Sequence, residues 1–126
     1  MKRRAAREKA LQILFSLDIE EYDLETTLEN TLDGEDRDSF LLSIVNGVIE
    51  NQKEIDEKIV NHLEKWSITR LAFVEKTLLR MATYELFYLK DAPESVVINE
   101  VIEIAHIFGD EKSGKFINGV LSKMIK

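Results

Sequence analysis

Residues 71–90, LAFVEKTLLRMATYELFYLK, decide the fold. Leu71, Val74, Leu78, Met81, Ala82, Leu86 and Leu89 recur at the three- and four-residue steps of one helix face. This is the longest and most apolar periodic run in the chain, so the spacing predicts a helix at the centre of the core. Asp91, Ala92 and Pro93 break it, because the residue before a proline is driven out of the helical region and the ring cannot continue a helix. Downstream, Ser95 is expected to cap a helix whose Val97, Ile98, Val101, Ile102, Ala105 and Phe108 face inward and which Gly109 ends. Asp110 to Lys112 read as a loop. Ser113 then caps a last helix that buries Phe116, Ile117, Val120, Leu121, Met124 and Ile125.

Upstream of the quoted run, Ile55, Ile59 and Leu63 mark a helix that starts at Asn51 and ends before Trp66, and Phe40, Leu41, Ile44, Val45, Val48 and Ile49 mark another before it. Leu24, Leu28 and Leu32 repeat every four residues in a short acidic helix closed by Gly34. Ala6, Ala10, Leu14 and Leu17, flanked by Leu11 and Phe15, form the apolar face of the first helix. The expectation is an all-α protein of about seven helices, with residues 1–126 forming one compact domain.

Composition agrees. Five Gly and one Pro in 126 residues are too few turn formers for a many-stranded β architecture. With no Cys, disulfides, thiolate nucleophiles and thiolate metal sites are excluded, and a reducing cytoplasm fits. The amphipathic, acid-bearing segment after the basic start does not read as a signal peptide, and no apolar run approaches the roughly 18 residues that span a bilayer.

Catalytic chemistry finds little footing. His62 and His106 have no partner at metal-ligand spacing and read as structural. Gly109-Asp110-Glu111-Lys112-Ser113-Gly114-Lys115 matches the first seven positions of a phosphate-binding loop. Phe116 stands where that loop needs Ser or Thr for magnesium, and a helix precedes it in place of a strand. No Ser lies in a nucleophile-elbow pattern, and pairs among the 24 carboxylates are expected without function. The protein therefore reads as a binder that needs no cofactor, metal or catalytic residue.

Charge distribution says what it could bind. The net charge is -7, yet Lys2, Arg3, Arg4, Arg7 and Lys9 against Glu8 leave residues 1–9 at +4 and the remainder at -11. Basic side chains at the start of a helix oppose its dipole, so an anionic ligand would explain them. Together with Lys115 and Phe116 they suit single-stranded RNA, whose phosphates arginine neutralises and whose bases stack on aromatic rings.

Several segments carry a resemblance to the NusB family of bacterial transcription antitermination factors. They are the basic opening with Ala6-Arg7-Glu8-Lys9-Ala10-Leu11-Gln12 and Phe15, then Val74-Glu75-Lys76, Leu79-Arg80-Met81-Ala82 and Tyr84-Glu85-Leu86. Val97-Ile98-Asn99-Glu100, Ile102-Glu103, Phe108-Gly109 and Lys115-Phe116-Ile117-Asn118-Gly119-Val120-Leu121 complete the set. The resemblance implies two packed helical subdomains that bind boxA RNA jointly with NusE, a small-subunit ribosomal protein, within the RNA polymerase antitermination complex on ribosomal RNA operons. It maps RNA contact onto Lys2, Arg3, Arg4, Arg7, Gln12, Phe15, Glu75, Lys112, Ser113, Lys115 and Phe116, and NusE onto the helices around residues 51–63 and 71–89. An acidic body suits a basic ribosomal protein while the basic arm holds RNA. Two rivals share the fold: the domain that accompanies some ribosomal RNA methyltransferases, disfavoured because no methyltransferase domain is present, and a helical adaptor or homodimer that binds no RNA.

Overall fold

The computed structural model describes residues 1–19, 22–64 and 67–126. Glu20 and Glu21 of the acidic stretch, and Trp66, lie outside the described residues. The described residues form six α-helices and no strand: α1 (Arg3–Ile19), α2 (Leu24–Leu32), α3 (Ser39–Val60), α4 (Phe73–Tyr84), α5 (Glu94–Phe108) and α6 (Glu111–Met124). A 3-10 turn, Ile68–Arg70, leads into α4, and a π-helical turn, Glu85–Leu89, extends it. Among the described residues no helix is long and apolar enough to cross a membrane.

The count is six because the two helices expected around Asn51 are one. Asn51 does not cap: its side-chain amide donates to the Gly47 carbonyl at 2.8 Å, one turn back in the same ladder. Asn51 and Gln52 interrupt the apolar stripe without shifting its phase, so Leu41, Ile44, Val45, Val48, Ile55 and Ile59 line one buried face of a 22-residue helix. The longest helix is thus α3 and not the 71–89 run, and Ile49 at its edge is exposed.

The run that decided the fold is central as expected. Every residue from Thr77 to Thr83 is buried, and α4 packs against α1, α3, α5 and α6. Arg80 fixes two of these contacts: it grips Asp56 of α3 at 2.8 and 2.9 Å and reaches Asp18 of α1 at 3.2 Å. Lys76 shares Asp18 at 3.5 Å. α3 comes close to α4 at Gly47, where an added Cβ would fall well under 3.0 Å from the Tyr84 ring.

Two caps differ from expectation. α5 starts at Glu94, directly after Pro93, whose carbonyl accepts the first helical bonds from Val96 and Val97, so Ser95 lies inside the helix and caps nothing. α6 starts at Glu111, capped by Asp110, whose carboxylate accepts the Ser113 N–H at 2.8 Å; Ser113 is a buried helical residue and not the cap. Asp and Ser cap equally well, and the earlier of two capping residues gains an extra turn of helix. On α5 Ile104 is buried along with Val97, Ile98, Val101 and Ala105, while Phe108 is 39% exposed.

Local structure also accounts for much of the acidic stretch from Asp18 to Asp38. Asp23 caps α2 by accepting from Thr26 at 2.7 Å, and Asp38 caps α3 by accepting from Leu41 at 3.1 Å. Glu25 pairs with Arg37 and Glu35 with Lys9.

Candidate nucleic-acid interface

The arginines that open α1 find their anions inside the protein. Arg3 pairs with Asp91 at 2.5 Å and its guanidinium lies 4.3 Å from the centre of the Phe40 ring. Arg4 forms a two-pronged pair with Glu100 of α5, its Nε donating at 3.0 Å. That hydrogen bond is the main cause that holds the Glu100 carboxyl below its ordinary value and raises the Arg4 guanidinium above its own. Arg7 is in the interior, 2% exposed, with both prongs on the equally buried Glu85 at 2.8 Å and a second carboxylate, Glu100, at 3.5 Å. Of the arm, Lys2, Arg3 and Arg4 reach solvent and Arg7 does not.

Further along α1, Gln12 and Phe15 enter an open groove of about 510 Å³ shared with Asn30 of α2, Val74 of α4 and Phe108 of α5. Phe15 meets Phe73 edge to face at 5.6 Å, Lys76 lies 4.5 Å over the Phe73 ring, and Phe73 is 43% exposed. Glu75 follows Val74 in the first turn of α4 and is half-buried. Arg4 reaches Glu100 of α5, and Phe15 and Phe108 line the same groove, while both helices pack on α4. Arg4 and Gln12 are eight residues apart, about 12 Å along α1.

The third group starts α6. Lys112 and Lys115 are exposed, whereas Ser113 is buried and its backbone amide is taken by Asp110. That carboxylate fills the place a phosphate would take in the loop-like stretch from Gly109 to Lys115. Phe116 is half-buried and faces a different groove, with His62 and Leu63 at the end of α3. The structure thus joins Gln12, Phe15 and Val74 in one groove that Glu75 does not line, places Lys2, Arg3 and Arg4 at the start of the same helix, and sets Lys115 and Phe116 beside the residues that follow α3.

Residue reasoning missed Phe73, Phe108 and Asn30. Phe108 follows the inward periodicity of α5 and emerges only because the helix ends there. Phe73 is the first residue of α4 and has no earlier turn to give it a phase.

The Asp110 cap has a measurable signature. The backbone hydrogen bond from Ser113 lowers the Asp110 pKa, so its stabilisation is complete above the ordinary carboxylate value and is lost as pH falls through the lower folded value. Asp110→Ala should lower the melting temperature at neutral pH, and the gap from the parent should close in acid. A gap that is constant with pH would show that the carboxylate is not the capping group.

Six α-helices among the described residues, four of them packed on a buried α4, with arginines at one end of α1 and an open aromatic groove further along it, define an all-helical protein whose candidate site is an open surface. Comparison with known proteins places it further. The sequence profile of the NusB family matches residues 4–126, and the chain belongs to that family. It is 58% identical over 125 residues to the transcription antitermination protein NusB of Oceanobacillus iheyensis, covering 99% of each chain. Identity to NusB of Bacillus subtilis is 48% over 124 residues, covering 98% of this chain and 95% of the relative. Its fold is similar to that of T. maritima NusB, with a TM-score of 0.88 at 41% identity over 98% of this chain and 90% of the other. It is also similar to a chain in a crystal structure of antitermination factors NusB and NusE in complex with dsRNA, with a TM-score of 0.86 at 29% identity over 97% and 94% of the two chains.

Proposed function

We propose that the protein is a cytoplasmic transcription antitermination factor that binds single-stranded boxA RNA jointly with NusE and enters the RNA polymerase antitermination complex on ribosomal RNA operons. The observation that carries this reading is the continuity, along α1, of a cationic end with an exposed aromatic groove. A phosphate backbone and unstacked bases need these two surfaces side by side. Membership of the NusB family, and likeness to a chain solved with NusE and RNA, support the same partners. Residues 1–126 act as one domain of two packed subdomains, α1–α3 and α4–α6.

Lys2, Arg3 and Arg4 supply charge; Gln12, Phe15 and Phe108 meet bases; Glu75, Lys112, Lys115 and Phe116 border the path. Arg7 and Ser113 act from within, Arg7 by anchoring α1 to Glu85. Because the middle of α4 is buried, NusE meets its two ends and the outer face of the second half of α3.

Fluorescence anisotropy of a short boxA RNA across a salt series, with and without NusE, tests this. Three phosphate contacts from Lys2, Arg3 and Arg4 give a log-log slope of about -2, at roughly -0.7 each on a single strand. Were Arg7 also at the surface the slope would be about -3 on the same basis. Arg3→Ala with Arg4→Ala should make it shallower by about 1.4. No RNA binding even with NusE present sinks the proposal and leaves a protein-protein adaptor as the better account.

A further inference from the structure

Gly119 sits in the interior of α6, on its exposed side. Glycine weakens a helix interior more than any residue but proline, so its presence there calls for a reason. Two other helical glycines have one in packing: an added Cβ would fall under 3.0 Å from the Tyr84 ring at Gly47 and from the His106 ring at Gly114. At Gly119 an added Cβ would meet nothing within 4 Å among the described residues. Packing among the described residues therefore does not require the glycine, yet a side chain there would enter the groove that Gly119 lines.

That groove has about 330 Å³ and lies between α6 and the end of α3. Lys115, Gly119 and Lys123 follow at four-residue intervals, so they share one face of α6, with the bare backbone between two lysines whose Cα atoms are about 12 Å apart along the axis. Phe116 lines one side and His62 the other, its ring held by a 2.7 Å hydrogen bond between Nδ1 and the Lys58 carbonyl. Lys123 is paired with Glu64, both well exposed, and such a pair exchanges for another anion at little cost. Among the described residues that line it, two lysines stand against one carboxylate, a local excess of positive charge on a chain of net charge -7.

We propose that this groove is a nucleotide subsite, in which a base of single-stranded RNA lies over the bare backbone of Gly119 between Phe116 and His62, and Lys115 and Lys123 take the flanking phosphates. This extends the RNA path from the start of α6 along its outer face to the end of α3, and it rests on the RNA-binding reading above. The local charge favours RNA over a basic protein segment, and an aromatic ring beside an open floor suits a planar base.

Gly119→Leu places a side chain in the groove from a Cβ that meets nothing within 4 Å among the described residues, and Lys123→Gln removes one phosphate contact. Both are compared with the parent by boxA RNA anisotropy across salt, with and without NusE, and by thermal melting. Gly119→Leu should melt no lower than the parent and bind RNA about five-fold or more weakly, the low end of what one stacked base contributes. Lys123→Gln should make the salt slope shallower by about 0.7. If the parent binds RNA and either variant binds as the parent does, the subsite is overturned while the RNA reading stands. If Gly119→Leu keeps its affinity for RNA alone and loses only the tightening by NusE, the occupant is the protein partner and the subsite is again overturned. A parent that binds no RNA overturns both.

Discussion

Arg7→Ala should cost about 3–5 kcal/mol of folding stability, the usual effect of stripping one partner from a buried ion pair. Arg7 and Glu85 are each 2% exposed and meet through two 2.8 Å hydrogen bonds. Without the guanidinium, the Glu85 carboxylate has neither water nor a counter-charge and must take up a proton or drag solvent into the junction of α1 and α4. Small domains commonly have about 5–15 kcal/mol in total, so the variant would lie near the limit of folding. Glu85→Ala should cost a similar amount for the converse reason. The double variant Arg7→Met with Glu85→Leu removes both charges and should recover most of the loss, since a well-packed apolar pair often matches a buried ionic one. Urea unfolding midpoints decide it: a loss under about 1 kcal/mol in Arg7→Ala would mean that water already reaches the pair. A residue whose sole task was to touch RNA would leave these midpoints unmoved.

Gly47→Ala should destabilise by about 1–3 kcal/mol, the range for an overpacked core. The sign is informative, because Gly→Ala inside a helix ordinarily stabilises by about 1 kcal/mol. Here the new methyl would occupy the space of the Tyr84 ring. That ring cannot easily turn away: it stacks on Tyr88 at 5.8 Å and its hydroxyl lies 3.2 Å from the Ser43 hydroxyl. Gly47→Ala combined with Tyr84→Ala should be less destabilising than the sum of the two single changes. Strict additivity in thermal or urea unfolding would show that α3 and α4 do not depend on this approach.

Local pattern carried the fold a long way. The Leu71–Leu89 stripe identifies the central helix because burial on several sides leaves few polar positions, and the breaks at Pro93 and Gly109 are covalent properties of the residues there. The merging of residues 39–60 into α3 was hidden because two adjacent polar residues look like a boundary when only their type, and not the phase around them, is read. Cap positions were misplaced at Ser95 and Ser113 because several residues in each junction can end a helix.

The candidate site was less legible, for a different reason. Three arginines at the start of α1 correctly signal missing negative charge, but local sequence offers no sign that Asp91, Glu85 and Glu100 supply it. Those carboxylates lie 78 to 96 residues away, and only tertiary packing brings them to α1. The same holds for Phe15, whose groove is assembled from four helices.

The pairs of Arg3 with Asp91 and Arg4 with Glu100 turn ligand capture at this end of α1 into an exchange. The observed association constant is the intrinsic one divided by one plus the constant for the internal pair. The exposed pair of Arg3 with Asp91 is worth about 0–1 kcal/mol, so that constant is about 1–5 and the penalty for releasing Arg3 stays within about six-fold, whereas the two-pronged, part-buried pair of Arg4 with Glu100 holds its arginine more tightly. In return, the guanidinium groups are held by Asp91, ahead of α5, and by Glu100 on α5, and have already lost part of their rotamer freedom before any phosphate arrives. A polyanion that can engage only one of them recovers little. One that spans both displaces both carboxylates, and by continuing into the aromatic groove it gains contacts that carry no such penalty.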